Sequence, residues 1–204
     1  MLGVEIEVYA DVVCPWCWIG ERRLLKALAG LDDVSVRWRA FQLDPGSVST
    51  GQPLVEWLGR RYGGESNAHR MFDRVTQVAR GEDLTLNFGN AIAANTFDAH
   101  RLIWKAYESG VQLQMVEALH KAHFTDGLDI GSPSVLSSIA SDLGVPDIVA
   151  TDEGVAEVRA ELELGRELGV TGVPMFVFNG RYALSGAQDP DTFREALAMI
   201  RQPD

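Results

Sequence analysis

The cysteines of this sequence lie together near its N-terminus. Cys14 and Cys17 are the only two among 204 residues, and they enclose Pro15 and Trp16 in a Cys-Pro-Trp-Cys motif. Two thiols at this spacing can form and break a disulfide, or can supply half of a zinc site. Zinc would need two further ligands, and the sequence has no second cysteine pair. The motif therefore favours thiol–disulfide exchange over a structural disulfide or a metal site.

The motif lies between a predicted strand and a predicted helix. Apolar residues alternate with glutamates over residues 4–8, as in a strand with one buried face, and residues 21–29 have helical periodicity. Unpaired N–H groups and the helix dipole at a helix N-terminus stabilise negative charge on sulfur. We therefore expect Cys14 to be the nucleophile and Cys17, one helical turn on, to resolve the mixed disulfide. Pro15 suits the first helical turn.

The remaining pattern predicts strands at both ends of the chain and helices between them. A second alternating strand covers residues 34–40, and residues 175–178 and 182–185 flank an Asn-Gly hairpin turn before a last helix at 191–200. Helical periodicity predicts the intervening helices at 53–62, 66–80, 90–109, 111–125, 133–143 and 152–168.

The element order, β-α-β followed by helices and then β-β-α, predicts an α/β protein with a thioredoxin-like fold and a large inserted α-helical domain. We assign residues 1–50 and 170–204 to a discontinuous thioredoxin-like domain. Residues 51–169 form the inserted helical domain in this interpretation. The chain is too long for a thioredoxin domain alone, and the excess is the helical block that we expect to cover the Cys14 cleft.

Five segments in the same order resemble the DsbA-like proteins of the FrnE type within the thioredoxin superfamily. They are Tyr-Ala-Asp-Val-Val-Cys-Pro-Trp-Cys-Trp-Ile-Gly at 9–20, Trp-Arg-Ala-Phe-Gln-Leu-Asp-Pro at 38–45, Asn-Thr-Phe-Asp-Ala-His-Arg at 95–101, Phe-Thr-Asp-Gly at 124–127 and Thr-Gly-Val-Pro at 171–174. The resemblance covers nearly the whole chain and implies thiol–disulfide oxidoreduction. It also implies a cis Val173–Pro174 bond that faces the cysteines and helps to hold a peptide substrate. His123 departs from the pattern, which leads us to expect an aromatic residue such as Tyr.

Further candidates for substrate binding are Trp16, Phe41 and Asn95. Trp16 is expected to be exposed beside the thiols, whereas Trp18 is expected to pack, and Phe41 is a candidate for an apolar rim. Asn95 has two interpretations, a helix N-cap or a residue that lines the cleft and, with its neighbour Thr96, binds a polar substrate or a glutathione-like peptide.

All four histidines, His69, His100, His120 and His123, fall in the predicted helical block, away from the cysteine motif in sequence. His100 is predicted to be a structural hydrogen-bonding residue. His120 and His123 are spaced to share a helix face with Glu117, which makes a separate metal site conceivable, although an exposed polar face is the favoured interpretation.

Composition and charge exclude several classes of partner. The chain has 18 Lys and Arg against 29 Asp and Glu, a formal charge of −11, so nucleic acid and anionic membrane surfaces are not expected partners. It lacks an apolar stretch long enough to span a membrane and the charged and apolar regions of a secretory signal, and we expect a cytoplasmic protein. Cytosolic thiols are kept reduced, so a lone cysteine pair there is more often catalytic than structural. The sequence does not indicate an oligomeric state.

The favoured function is thiol–disulfide oxidoreduction on protein or low-molecular-weight disulfides. It needs no metal or organic cofactor, and glutathione is the candidate co-substrate. The alternative is a glutathione-dependent isomerase or transferase resembling 2-hydroxychromene-2-carboxylate isomerases and kappa-class glutathione transferases, which generally place a serine where Cys14 stands. A third interpretation, a partner-binding domain with an inert cysteine pair, has no supporting motif. The direction of electron transfer depends on a redox potential that the sequence does not provide.

Overall fold

The computed structural model describes residues 3–201, which form four strands and eight helices. In chain order these are β1 (Val4–Ala10), α1 (Pro15–Leu28), β2 (Val34–Ala40), α2 (Leu54–Arg61), α3 (Glu65–Arg80), α4 (Phe97–Glu108), α5 (Gln112–Phe124), α6 (Pro133–Asp142), α7 (Val155–Glu167), β3 (Met175–Phe178), β4 (Tyr182–Ser185) and α8 (Pro190–Ile200).

The strands form one mixed sheet in the order β2-β1-β3-β4. β1 is an interior strand that pairs with β2 in parallel and with β3 in antiparallel orientation. The α1 helix is the crossover that a parallel pair requires. The β3–β4 turn places Asn179 at φ 50° and Gly180 at φ 63°, the positive values that an Asn-Gly hairpin predicts. The predicted strands are all found, and the α/β thioredoxin-like fold class is confirmed.

The six helices α2–α7 lie in the chain between β2 and β3, as an inserted helical block predicts. Most of their bounds agree with the sequence prediction to within a few residues. No helix within residues 3–201 is both long and apolar enough to cross a membrane.

The predicted helix at 90–109 is wrong in its first part, because α4 begins at Phe97. Residues 90–96 are mostly extended or turn, and Ile92 forms an isolated antiparallel bridge with Pro53. A neighbouring segment thus supplies part of the hydrogen bonding that helix formation would otherwise satisfy. Periodicity within one segment does not reveal such a partner.

The largest apolar core is shared between the sheet and the helical block. Buried side chains of β1 and β2 pack in one cluster with those of α4, α5 and α6, among them Ile6, Trp38, Leu102, Met115 and Leu136. A second cluster joins α1 to α2, α3 and the end of α5 through side chains that include Ile19, Leu54, Phe72, Phe88 and Phe124. The two parts that the sequence separates at residues 50 and 170 are therefore packed on a common core.

The buried guanidinium of Arg101 holds the segment that precedes α7 against α4. Arg101 is 3 % exposed. Its Nη2 donates to the Ile148 carbonyl at 2.8 Å and to the Thr151 carbonyl, and its Nε donates to the Glu153 carbonyl at 2.8 Å. One side chain thus donates to three backbone carbonyls of this turn, of which the Ile148 carbonyl also accepts from the Thr151 N–H at 3.0 Å.

We expect Arg101→Met to lower the free energy of unfolding by about 3 kcal/mol, because it removes several hydrogen bonds that a buried charged side chain makes to backbone carbonyls. Urea denaturation followed by circular dichroism measures the change. Arg166→Met is the matched control, since the Arg166 side chain is 70 % exposed and its ion pair contributes about 0–1 kcal/mol. Equal effects of the two substitutions would contradict the role given to Arg101.

Candidate active site

The Cys-Pro-Trp-Cys motif forms the N-terminus of α1. Cys14 is the N-cap residue with extended backbone, and the helix begins at Pro15. The Cys14 N–H donates to the Asp11 carbonyl at 3.0 Å, and the Cys17 N–H donates to the Cys14 carbonyl at 3.0 Å. Both thiols are free, with Cys14 5 % and Cys17 2 % exposed. The two sulfurs therefore belong to one short turn, as the sequence predicts.

The loop before β3 faces Cys14. The Val173–Pro174 peptide bond is cis, and the Cys14 Sγ lies 3.9 Å from the Val173 carbonyl oxygen. Gly20 permits this approach, because a Cβ there would lie 3.0 Å from Pro174 Cγ and 3.1 Å from the Phe176 ring. A helix-interior glycine costs up to about 1 kcal/mol relative to alanine, and here its lack of a side chain is used for close packing.

Cys17 lies behind Cys14, out of contact with solvent. Burial raises the pKa of the Cys17 thiol well above its ordinary value, and a hydrogen bond with Cys14 and the negative charge of Asp11 raise it further. A hydrogen bond from the Asp11 backbone acts in the opposite direction. Cys17 is therefore a neutral thiol at neutral pH in the reduced protein, which suits a residue that reacts second.

Asp11, at the end of β1, connects the cysteine turn to two other segments. Its carboxylate is 1 % exposed; Oδ2 accepts from the Leu43 N–H at 2.8 Å, and Oδ1 lies 3.3 Å from His100 Nε2. Its backbone carbonyl accepts from Cys14. His100 is thus buried beside Asp11, but its Nε2 makes no hydrogen bond within the described residues, and the hydrogen-bonding role predicted for it stays a prediction.

Asp11→Asn is expected to lower the pKa of the Cys17 thiol, because the substitution removes a negative charge that opposes thiolate formation. The ultraviolet absorbance of the thiolate, followed as a function of pH in a Cys14→Ser background, reports Cys17 alone. Asp73→Asn makes the same charge change at an exposed site on α3 and serves as control. An unchanged or higher pKa in Asp11→Asn would show that the Asp11 charge does not act on Cys17.

A second buried polar group lies one helical turn beyond Cys17. Glu21 is 1 % exposed, and burial followed by the proximity of Glu117 raises its pKa well above the ordinary value. Glu117 in turn accepts from Trp18 Nε1 at 3.3 Å and from Arg22 at 2.9 Å. His120 stacks on Trp18 with ring centroids 5.6 Å apart, and its Nδ1 lies 3.6 Å from Glu21. The wall behind the thiols is thus partly polar.

The prediction of an exposed polar face for His120 and His123 is wrong. Both side chains are buried, because α5 lies between α1 and the rest of the helical block. His123 packs edge-on to Phe124 at 4.5 Å, the contact expected of an aromatic residue at this position. Within residues 3–201 no three His, Cys, Asp or Glu side chains are grouped to hold a metal ion.

Burial, together with the neighbouring His123, lowers the pKa of His120 from 6.5 to about 3. Burial likewise lowers the pKa of His123 from 6.5 to about 4. A pKa depressed by folding contributes stability that is present above pH 6.5 and is lost as the pH falls through the folded value. Acid therefore destabilises the fold in the window between pH 6.5 and about 4.

His123→Phe is expected to reduce the loss of stability between about pH 7 and 5 by about 2 kcal/mol, since this buried histidine no longer has to gain a proton on unfolding. Urea denaturation at each pH measures the difference. His69→Gln is the matched control because His69 is exposed on α3. If His123→Phe keeps the full acid sensitivity, the titration of His123 does not cause it.

Four of the eight predicted site residues line one cleft, and Cys17 and Pro174 are buried next to them. Cys14, Pro15, Trp16 and Val173 line a cleft of about 390 Å³, and Trp16 is 37 % exposed, as predicted. Pro174 is buried beside them.

Phe41 and Asn95 do not line this cleft. Phe41 packs against the small cluster of Tyr9, Val170 and Val177. Asn95 Oδ1 accepts from the Phe97 N–H at 2.9 Å, and its Nδ2 donates to the Ser47 carbonyl at 2.8 Å. Asn95 therefore joins the start of α4 to the loop after β2, which is close to the N-cap interpretation, while its neighbour Thr96 lines the cleft.

Sequence reasoning did not single out Asp11, Gly20 or most of the apolar wall of the cleft. Trp57, Leu58 and Phe72 belong to that wall. The sequence did contain a signal for Gly20, because a glycine inside a helical pattern often marks a place where another segment packs closely against the helix. The wall residues have ordinary core periodicity, so their sequence pattern does not distinguish them from the core.

Comparison with known proteins identifies the family. The chain matches the DSBA-like thioredoxin domain over residues 5–198, and it belongs to that family. A probable DsbA oxidoreductase from Streptomyces coelicolor is 32 % identical, with a TM-score of 0.90 over 98 % of this chain and 92 % of the other.

Two more distant structures share the fold. A cytosolic disulfide reductase, DsbM from Pseudomonas aeruginosa, solved with GSH, is 20 % identical, with a TM-score of 0.68 over 97 % of this chain and 100 % of the other. A 2-hydroxychromene-2-carboxylate isomerase is 14 % identical, with a TM-score of 0.70 over 96 % of this chain and 95 % of the other. Proteins with this fold are thus named for both disulfide reduction and isomerisation. The fold alone does not distinguish the two activities, and the residues of the site must be considered.

Proposed function

We propose that this protein is a thiol–disulfide oxidoreductase in which Cys14 attacks the substrate and Cys17 resolves the mixed disulfide. The observation that carries the proposal is the placement of the two free thiols. Cys14 lies at the N-terminus of α1 and lines an open cleft, whereas Cys17 is buried one turn behind it. Only Cys14 is in a position to meet a substrate disulfide first.

The two cysteine sulfurs supply all the electrons that the reaction needs. The Cys14 thiolate attacks one sulfur of the substrate disulfide, which forms the mixed disulfide and releases the other substrate sulfur as a thiolate. Cys17 then loses its proton and attacks Cys14 Sγ, which releases the second substrate sulfur and forms the Cys14–Cys17 disulfide. Two electrons pass from the cysteine pair to the substrate, so the exchange requires no metal or organic cofactor. The reverse sequence oxidises a substrate dithiol.

Burial of Cys17 orders these steps. Because burial keeps the Cys17 thiol neutral, it does not compete with Cys14 for the incoming disulfide. Once the mixed disulfide has formed, its proximity to Cys14 makes resolution intramolecular, which favours release of the substrate.

The cellular role follows from the compartment. In the cytoplasm, the location that we propose, glutathione and other thiols keep the pair reduced, and the protein acts as a reductase or isomerase of protein or small disulfides. Glutathione then serves as the thiol that regenerates Cys14 and Cys17.

Within the DsbA-like family we assign the chain to the FrnE-type branch because of the segment Asn-Thr-Phe-Asp-Ala-His-Arg. Three of its side chains support the site: Asn95 holds the loop after β2, His100 faces Asp11, and Arg101 holds the turn before α7. The segment thus has a physical role around the cleft.

Cys14→Ser is expected to abolish reduction of the disulfides of a test protein. Cys17→Ser is expected to accumulate a mixed disulfide at Cys14. Mass spectrometry of the trapped adduct and turnover of insulin disulfides measure these outcomes. Full activity in Cys14→Ser would remove Cys14 as the nucleophile. Glutathione-dependent isomerisation that survives both substitutions would support the isomerase alternative instead.

A further inference from the structure

Most of the buried side-chain atoms that lack a hydrogen-bond partner within residues 3–201 belong to one cluster behind the cysteine turn. The cluster joins the end of β1 to α1, α4 and α5, and its members are Asp11, Glu21, His100, Glu117, His120 and His123. Buried polar groups in folded proteins nearly always have partners, because an unpartnered one destabilises the fold. A whole cluster of exceptions therefore points to a function rather than to a contribution to stability.

Two members of the cluster lie next to the buried thiol. Cys17 and Glu21 are four residues apart on α1 and are 2 % and 1 % exposed, so they share one buried face of the helix. His120 enters from α5, with its Nδ1 3.6 Å from Glu21 Oε2 and its ring stacked on Trp18. The Asp11 backbone acts on both the Cys17 thiol and the His120 ring. Cys17, Glu21 and His120 are thus neighbours in one buried space.

The cluster reaches solvent at Glu117, outside the cleft. Glu117 is close enough to Glu21 to raise its pKa, and its Oε1 lies 2.8 Å from Arg22 Nη2. The side chains of Arg22 and Glu117 are 38 % and 25 % exposed. Neither residue lines the cleft in front of Cys14. A proton can therefore pass between this cluster and solvent without crossing the path of the substrate.

The chemistry of Cys17 requires such a path. Burial raises the pKa of the Cys17 thiol, and a thiolate of high pKa is a poor leaving group when the Cys14–Cys17 disulfide is opened. In the opposite direction the thiol has to lose its proton before its sulfur can attack. Cys14 lines the open cleft and can exchange a proton with solvent there, whereas Cys17 is behind it.

The two buried side chains suit the transfer in different ways. Burial, followed by the proximity of Glu117, raises the pKa of Glu21 well above its ordinary value and so brings it nearer to that of a thiol, as efficient proton transfer requires. Burial lowers the pKa of His120 to about 3, so its ring stays neutral. A neutral imidazole accepts a proton on one nitrogen while it donates from the other, and so passes a proton on without holding a charge.

Few charged groups oppose this exchange. Within the described residues, the titratable and charged groups that act on Glu21 and His120 come from α1, α4, α5 and the end of β1, and they are Arg22, His100, Glu117, His123 and the backbone of Asp11. Arg22 favours the carboxylate form of Glu21, and Glu117 disfavours it.

We propose that Glu21 and His120 form a proton relay that exchanges the proton of Cys17 with solvent at Glu117. This inference rests on the proposed function and adds two relay residues to its second step. When an incoming thiolate opens the Cys14–Cys17 disulfide, the Cys17 sulfur leaves with the bonding electrons and receives a proton from the Glu21 carboxyl group through His120. When Cys17 instead attacks the mixed disulfide, its proton passes to the Glu21 carboxylate, the sulfur–sulfur bond to Cys14 forms, and the substrate sulfur leaves with an electron pair.

The test separates the two thiols by mixing the reduced protein with dithiodipyridine, a neutral disulfide. Attack by Cys14 releases one thiopyridone at a rate that depends on the concentration of the reagent. Attack by Cys17 on the mixed disulfide releases the second at a rate that does not. The ultraviolet absorbance of thiopyridone follows both releases, in the wild type and in Glu21→Gln and His120→Phe.

We expect each substitution to slow the second release roughly tenfold or more at neutral pH and to leave the first unchanged. The second release should also become steeper with pH, approaching tenfold per pH unit, because only the thiolate fraction of Cys17 then reacts. His120→Phe keeps a ring against Trp18, so loss of packing does not explain the effect. In the wild type, deuterium oxide should slow the second release and not the first, which needs no variant to fold.

Glu163→Gln, at an exposed glutamate of α7, and His123→Phe, the same ring exchange elsewhere on α5, are the matched controls and should leave the second release unchanged. An unchanged second release in Glu21→Gln or in His120→Phe would overturn the proposal, as would equal slowing in His123→Phe or the absence of a deuterium effect. Failure of the proposed function looks different, because the wild type itself would then release no second thiopyridone.

Discussion

The site depends on the buried carboxyl-terminal end of β1, where Asp11 makes three connections at once. Its carbonyl receives the Cys14 N–H, one carboxylate oxygen receives the Leu43 N–H, and the other faces His100. Of the two carboxylate oxygens only Oδ2 accepts a hydrogen bond, so Asp11 acts mainly through the Leu43 N–H and through its own backbone carbonyl. They fix the cysteine turn, the loop after β2 and the start of α4 relative to one another. The position of Cys14 is therefore set jointly by the thioredoxin-like part and by the inserted helices.

The two sides of the cysteine pair differ in polarity. Behind the thiols lie Glu21, His120 and His123, which are buried and whose pKa values burial shifts toward their neutral forms. In front of Cys14 lies the apolar cleft between α2, α3 and the loop after β2. Neutral groups on that side add little charge to assist ionisation of Cys17, whose pKa burial already raises.

The helical block does more than cover the site, because it shares a core with the sheet and supplies side chains to the cleft. Its largest packed surface is shared with the sheet, and Arg101 and Asn95 join segments that are distant in sequence. The same block supplies Trp57, Phe72 and Phe88 to the cleft. Structures with the same fold include a disulfide reductase and an isomerase, so the fold by itself does not define the chemistry.

Local pattern was sufficient to predict the strands, most helices, the Asn179–Gly180 turn and the cysteine turn at the start of α1. These features depend on side-chain alternation, on helical periodicity and on turn residues with positive φ, all of which are encoded within short segments. The same reasoning failed at residues 90–96, where a bridge to Pro53 replaces the helix. It also failed for His120 and His123, whose polar spacing resembles a solvated face but which lie inside the molecule.

The sequence alone determined that the two thiols of this chain lie at a helix N-terminus, because motif and position are both local. The tertiary structure decided which groups surround them. Asp11, Glu21 and His120 come from three different elements, and the cleft wall comes from helices far along the chain. Such contacts arise when separate apolar faces pack on a common core, and the energy that selects this packing is distributed over many residues. No single segment carries that information, so the depth of Cys14 and the apolar front of the cleft could be read only from the folded chain.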